Sequence, residues 1–482
     1  MNNQQLSIPE EHFKLFRAIG KVGDTLDQPV YVVGGYVRDY YLDRLDPDGI
    51  SDIDFVTVGS GIGLAQKVAK ELGTKNLSVF KRFGTAHVKF NDLDLEFVGA
   101  RKESYRKDSR KPTVDNGTLK DDQLRRDLTI NALSWSLNED SFGVLHDPFH
   151  GIKDLKDQRI RTPIDPKKTF EDDPLRMMRA VRFATQLKFE IDPDTFQAIQ
   201  KKAHRLSIIS KERITEELNK IVMCPTPSDG FEMLLKTGLL NQFFPEMVNL
   251  QGVDVRNGQK HKDNFWHTLE VLDNVSEMSD DLWLRWAAIM HDIAKPPTKR
   301  FSKSSGWTFH GHDALGAKWT PKIFRRLGLP LDDRMKYVKK LVRLHLRPIA
   351  LVSDEVSDSA VRRLIYEAGD DIEDLMKLCR ADITSKNEWR VKKYRNNFDR
   401  VEEKIEAVEE KDKMRNWKNP ISGDEIIKVF DVKPGPIVGK VKDDIKEAIF
   451  EGDISNTYED AYDYMLALKK KYSADSESGS QK

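Results

Sequence analysis

At 482 residues the chain is longer than one hydrophobic core ordinarily organises, so two to four domains are expected. Its 39% hydrophobic and 33% charged residues are a globular composition, and 79 Lys+Arg against 79 Asp+Glu exclude a nucleic-acid binder held by net charge alone. Cys224 and Cys379 lie outside any metal-ligand spacing and suit a reducing compartment. No leader and no membrane-length apolar run is evident, so a cytoplasmic location is expected, with no obligate protein partner.

Short β-branched and aromatic runs over Val30–Val33, Ile53–Val58, Ala86–Phe90 and Leu93–Val98 alternate with a helical pattern over Ile62–Leu72, which predicts an α/β region over 1–150. From Gly151 the 3.6-residue period dominates, as in Asp173–Leu187, Glu212–Met223, Trp266–Met278 and Asp281–Lys295, and predicts an all-α remainder. Breaks fall at Cys224–Gly230, Gln251–Asp263 and Lys411–Gly423. The expected division is a head over 1–150, a helical neck and body over 151–255, a metal-binding region over 256–385 and a helical C-terminal region over 386–472. A Ser-rich tail over 473–482 is expected to lack structure.

Val32-Val33-Gly34-Gly35-Tyr36-Val37-Arg38-Asp39 places two glycines between a strand and a helix, where backbone can approach a polyphosphate and Arg38 can add a charged contact. Ser51-Asp52-Ile53-Asp54 follows, and alternation puts Asp52 and Asp54 on one strand face. Paired carboxylates facing a polyphosphate suit Mg²⁺; in two-metal chemistry one ion activates the attacking hydroxyl and the other stabilises the leaving group. Glu96 is a candidate third carboxylate. Taken singly, a Gly pair is a turn and Asp-x-Asp a solvated strand face; together within twenty residues they point to nucleotidyl transfer.

Arg125-Arg126-Asp127-Leu128-Thr129-Ile130-Asn131-Ala132, Asp147-Pro148, Glu171-Asp172-Asp173-Pro174-Leu175-Arg176 and Lys211-Glu212-Arg213-Ile214 complete an ordered set over about residues 25–245. The set resembles the class II tRNA nucleotidyltransferases, the CCA-adding enzymes and their bacterial poly(A) polymerase relatives. Pro434-Gly435-Pro436 and Glu451-Gly452 extend the likeness. The resemblance implies a polymerase-β-like head, a helical neck and body, tRNA, ATP and CTP as partners, and a nucleotide bordered by Gly34, Gly35, Arg38, Arg126, Asp127, Asn131, Arg179 and Arg182.

Asp173 and Arg176, three apart on an expected helix, could share a face. A carboxylate accepts the amino hydrogen of C or A and a guanidinium donates to the ring nitrogen, whereas U and G present the opposite pattern. This agrees with the family's amino-acid template; a surface ion pair is the plainer meaning of the spacing. The Arg101–Pro112 stretch, six basic and two acidic residues, resembles the family's flexible loop and favours full CCA synthesis over a CC-only enzyme.

His267, His291, Asp292, His312, His345 and Asp382 follow in order on helical segments and suit a divalent transition metal. They resemble the HD phosphohydrolases, with His312 preferred to His310 because of the spacing to Gly316. Basic stretches at Lys336–Arg347 and Arg390–Arg400, the latter with Trp389, Tyr394 and Phe398, could track RNA or be solvated helix faces. A poly(A) polymerase, an A-only enzyme, an HD phosphodiesterase with a degenerate head and a noncatalytic RNA-binding protein are the alternatives.

Overall fold

A computed structural model of the chain describes residues 6–45, 52–106, 109–256, 259–260, 262–351, 357–384 and 388–478, with backbone alone for 83, 102–106, 109–115, 259–260, 388, 390–391, 395 and 473–478. It forms two compact units, Met1–Val248 and Asn249–Lys482.

The first unit opens with α1 (Glu10–Thr25), β1 (Val30–Val33), α2 (Gly35–Tyr41), β2 (Asp52–Thr57), α3 (Gly61–Glu71), β3 (Leu77–Phe80), β4 (Thr85–Phe90) and β5 (Leu93–Gly99). The hairpin β6 (Arg101–Arg106) and β7 (Ser109–Asn116) follows, then α4 (Leu119–Leu124), β8 (Ser134–Ser136) and β9 (Leu145–His146). Seven strands form one sheet in the order β3-β4-β5-β2-β1-β8-β9; β2 and β5 run parallel and the other pairs antiparallel. Alternation along β2 buries Ile53 and Phe55 while Asp52 and Asp54 take the other face. Phe55 stacks on Phe97 of β5 with ring centroids 5.0 Å apart. The β2–β5 register sets Asp54 beside Glu96 and Asp52 beside Asp94.

The basic stretch expected as a loop is instead the β6–β7 hairpin, with a register irregularity between Ser104 and Arg106. Lys107 and Asp108 lie outside the described residues, as does Ser51. Beyond the head come α5 (Gly151–Lys156), α6 (Pro166–Asp172) and α7 (Leu175–Leu187). The expected helix over Asp173–Leu187 therefore starts two residues late: Asp173 is extended, at φ −138° and ψ 103°. Pro174 supplies the reason, because its ring disfavours the helical conformation in the residue before it. Strand structure persists past Gly151 only as short pairs among the described residues, such as Arg159–Ile160 with Glu190–Ile191.

The second unit is built on helices. Asn264–Met278, Leu282–Met290, His312–Leu327, Asp333–Leu344 and Ile372–Ala381 carry the His/Asp set, and Asp358–Ala368, Glu388–Asp412, Gly423–Phe430, Pro436–Glu451 and Tyr458–Ser478 are its other long helices. The division between units falls just before the polar Gln251–Asp263 break. The last helix runs to Ser478, six residues into the stretch expected to lack structure; residues 479–482 lie outside the described set. Among the described residues no helix is long and apolar enough to cross a membrane.

A candidate nucleotidyl-transfer cleft and a candidate metal centre

In the first unit a cleft of about 480 Å³ lies over the polar face of β2 and β5. It is lined by Asp52, Asp54, Asp94 and Glu96, by Arg38, Arg126, Arg179 and Arg182, and by Gly34, Gly35, Asp127 and Asn131. Gly34 has φ +74°, and a side chain there would start 3.2 Å from the Arg126 guanidinium and 3.6 Å from Asp54. Only glycine meets both demands cheaply.

Each arginine is held by partners behind it. Arg38 grips Asp39 through two bonds of 2.9 and 2.8 Å and donates to Asn131 Oδ1 at 2.8 Å. Arg126 donates to the fully buried Asp122 at 3.1 Å. Arg179 donates to Asp127 at 2.6 Å, and Glu217, itself buried, lies 3.2 Å from Arg182 and 3.7 Å from Arg179. Three of the guanidiniums gather round Phe183, at 4.9 Å for Arg38, 5.5 Å for Arg179 and 4.1 Å for Arg182.

The carboxylates divide electrostatically. Burial would raise Asp127, but Arg179 and the Asn131 amide hold it down to about 2. Burial raises Asp54 above the usual carboxylate value, against the pull of Arg126 and with Asp52 adding to the rise. Glu96 is raised by burial and then by Asp54. Asp54 and Glu96 are thus short of cationic charge in a polar cleft, which fits an oxygen-ligated divalent ion.

Asp173 and Arg176 do not line this cleft among its described residues. Asp173 accepts from the Leu175 amide at 3.1 Å and pairs with Arg213 at 3.4 Å. Arg176 is buried and donates to the main-chain carbonyls of Arg125 and of Thr169, the latter at 3.4 Å. The shared helix face expected for the two does not exist, because only Arg176 is helical. Asp94, Phe183, Gln186, Asp122 and Glu217 were not anticipated. Spacing could have found Asp122, which stands three and four residues before its two arginine partners, and strand alternation could have found Asp94, two residues before Glu96.

In the second unit His267, His291, Asp292, His312, His345 and Asp382 converge. His291, His345 and Asp382 each cap a helix C-terminus and His312 begins a helix, so rigid elements deliver the side chains. The C-terminal ends also favour positive charge. Asp292 is central: its oxygens lie 3.1 Å from His291 Nε2, 3.4 Å from His267 Nε2, 3.2 Å from His312 Nε2 and 3.9 Å from His345 Nε2. Asp382 lies 2.9 Å from His267 Nε2.

Three rings are fixed from behind by main chain. Nδ1 of His291 meets the Ala288 carbonyl at 2.7 Å, that of His312 meets Phe309 at 2.7 Å, and that of His345 meets Val342 at 2.8 Å. A carbonyl can only accept, so each Nδ1 carries a proton and each Nε2 is the nitrogen turned toward the centre. His267 Nδ1 instead meets the Thr384 hydroxyl at 2.9 Å, which also accepts from Lys262 at 2.9 Å. Burial and the neighbouring His291 push His345 down to about 4, leaving it neutral near neutral pH. His291 Nε2 and both Asp292 oxygens are buried without a well-formed hydrogen bond, although Lys295 Nζ lies 2.5 Å from Asp292. Two groups, His267-His291-Asp292 and Asp292-His312-His345, have the donor types and closeness to hold divalent ions. Gly316 supports the arrangement, since a side chain there would start 3.1 Å from Val342 on the helix that carries His345. His310 is exposed and outside the cluster.

The basic stretches are partly spent locally. Lys336 pairs with Asp333, Lys340 with Asp371, Arg343 with Asp313 and Arg347 with Glu367. Phe398 is buried, so of the three aromatic residues only Trp389 and Tyr394 are exposed for stacking.

Residues 30–161 match the family model of the poly(A) polymerase head domain, 188–250 that of the probable RNA- and SrmB-binding site of polymerase A, and 264–387 the HD domain. An A-adding tRNA nucleotidyltransferase of Deinococcus radiodurans is 34% identical over 89% of this chain and 93% of its own length. One of Aquifex aeolicus is 37% identical over 72% of this chain but only 44% of its own length, and the multifunctional CCA protein of Shewanella frigidimarina is 32% identical over 63% and 71%. A CCA-adding enzyme solved with ATP shares the fold, with a TM-score of 0.64 at 23% identity over 96% of both chains. With a relative matched over nearly its whole length, both units fall inside the likeness, and the chain belongs to the CCA- and A-adding tRNA nucleotidyltransferases, a family of enzymes.

Proposed function

We propose that the chain restores the 3′ end of tRNA, adding C, C and A in turn from CTP and ATP at the first cleft, and that its second centre hydrolyses phosphate esters. The observation that carries the reading is the gathering, in one cleft, of the Asp52, Asp54 and Glu96 carboxylates with four arginines. In this reading Asp52 and Asp54 hold Mg²⁺, with Glu96 alongside, and bound ions supply charge neutralisation at the attacking hydroxyl and the departing pyrophosphate. Arg38, Arg126, Arg179 and Arg182 take the triphosphate, and Gly34 allows it to approach the backbone. Base selection falls to Asp173 and Arg176: a C or A edge replaces Arg213 at the carboxylate and main-chain carbonyls at the guanidinium. The pair admits both bases, so order must come from the pocket's change as the RNA end grows, with Arg101–Gly117 as the element that alters it. At the second centre the His/Asp set takes divalent transition ions.

A second reading, A addition alone, is favoured by the Deinococcus relative, an A-adding enzyme matched over almost its whole length. Purified protein given tRNAs ending before the first C, after C and after CC, with CTP and ATP, separates the two. CCA synthesis completes all three and stops, whereas an A-adding enzyme extends only the last. Long A tails on a generic oligonucleotide would overturn both.

A further inference from the structure

The pairings of the first sheet set one row of residues across five strands: Ser78 on β3, His87 on β4, Glu96 on β5, Asp54 on β2 and Val33 on β1. Gly34 follows Val33, and a side chain there would start 3.2 Å from Arg126. Arg38, on the helix after the glycine pair, shares the Phe183 ring with Arg179 and Arg182. The arginines therefore gather at the β1 end of the row. His87 stands beyond the carboxylates at the other end, two strands or about 10 Å from Asp54 at the usual strand spacing.

His87 lines the same cleft, with Nδ1 3.4 Å from Asp94 and Nε2 3.9 Å from Glu96. Its ring meets Phe80 edge to face, with centroids 5.2 Å apart. Phe80 ends β3, the edge strand of the sheet, and is 46% exposed although large and apolar. Alternation puts it on the face of Ser78 and His87. Lys81 and Arg82 follow it, and Lys89 stands two residues past His87 on the same face; all three are exposed. An accessible aromatic ring among cations thus borders the carboxylates.

We propose that Phe80 and His87 form an acceptor-end subsite, where the last nucleotide of the RNA stacks before its 3′ hydroxyl is extended. The inference rests on the reading of this cleft as the transfer site and deepens it by naming where the RNA terminus is held. In an in-line displacement the attacking and leaving oxygens stand on opposite sides of the phosphorus. A triphosphate on the arginines releases pyrophosphate toward the β1 end, so the attacking hydroxyl enters from the β4 end. A ring there can stack on the terminal base whatever its identity, because every base presents a π face. Lys81, Arg82 and Lys89 answer the phosphates of the preceding nucleotides.

The probes are a tRNA ending after CC, which CCA addition and A addition both extend with ATP, and the same tRNA with an abasic ribonucleotide in place of its last C. Extension and equilibrium binding are measured with full-length protein and Mg²⁺. Phe80→Ala should lower kcat/KM for the intact tRNA about tenfold and for the abasic tRNA less than about twofold, and Phe80→Trp should restore most of the loss. His87→Ala should show the same selectivity, and the KM for ATP should stay within about twofold throughout. Equal losses on the two tRNAs, no loss on the intact one, a parent indifferent to the last base, or a change confined to the KM for ATP would each overturn the subsite. If the parent extends neither tRNA, the transfer reading fails by itself. Binding then decides the subsite: a preference for the intact tRNA that Phe80→Ala removes supports it, and equal binding of the two tRNAs overturns it.

Discussion

Asp127→Asn tests whether the buried carboxylate behind the arginine array is held by charge or only by shape. Asparagine keeps an acceptor for the Leu128 amide, now 2.8 Å from Oδ1, but removes the charge that Arg179 meets at 2.6 Å. Lowering the carboxyl from 3.8 to about 2 corresponds to about 2 kcal/mol of stability, at roughly 1.36 kcal/mol per tenfold change in acidity. For a unit of this size that is roughly 4–8 °C in Tm. The folded value is the depressed one, so this stability is complete above the unfolded value near 3.8 and is lost as pH falls through about 2. About half remains at pH 3. Hydrogen exchange of peptides covering 124–136 and 175–187, followed at pH 7, 5 and 3 for both proteins, reads the opening free energy where the contact lies. The gap between parent and variant should be constant from pH 7 to 5 and shrink by about half at pH 3. A gap as large at pH 3 as at pH 7, or none at neutral pH, would refute the charge argument.

Asp52→Ala or Asp54→Ala should abolish nucleotide incorporation while gel-shift affinity for tRNA stays within about threefold; retained incorporation by either folded variant removes the assignment. Asp173→Ala should weaken rejection of UTP by about 1–3 kcal/mol in competition assays, with little change in KM for the accepted nucleotide. Unchanged rejection would move base reading elsewhere. The double variant His291→Ala, Asp292→Ala should eliminate metal-dependent ester hydrolysis and leave tRNA extension nearly intact. Parallel loss of both activities in a folded protein would contradict two separate centres.

The parts of the cleft that follow from local rules were legible in the sequence. A period of two set Asp52 and Asp54 on one face, and the burial of Ile53 and Phe55 is the same rule seen from the other side. Asp173 departs from the helical period because Pro174 follows it, a steric preference as visible in the sequence as the period itself. Phe398 shows the converse limit: an aromatic residue among basic ones can belong to a stacking surface or to the core, and only the packed helix distinguishes them. Least legible were the groups that act over long separations. Glu217 reaches Arg179 and Arg182 from another helix, and Thr384 meets His267 across 117 positions; no spacing rule links such partners.

The long-range partners also explain why the cleft asks for a particular kind of ligand. Asp122 and Asp127 are buried carboxylates held in the ionised form by arginines, so their charge is already answered within the chain. Asp54 and Glu96 are pushed the other way, which marks a place where more positive charge would lower the free energy of the ionised form. Arg182, in the same cleft, has the opposite deficit: it is lowered by burial, Glu217 offsets only part of this, and Arg179 adds repulsion. A lone cation would relieve the carboxylates and worsen Arg182, and a lone polyphosphate would do the reverse. A divalent cation bound to a polyphosphate relieves both at once. That pairing is the form in which a nucleoside triphosphate is used for transfer, and it distinguishes this cleft from one built to hold either charge separately.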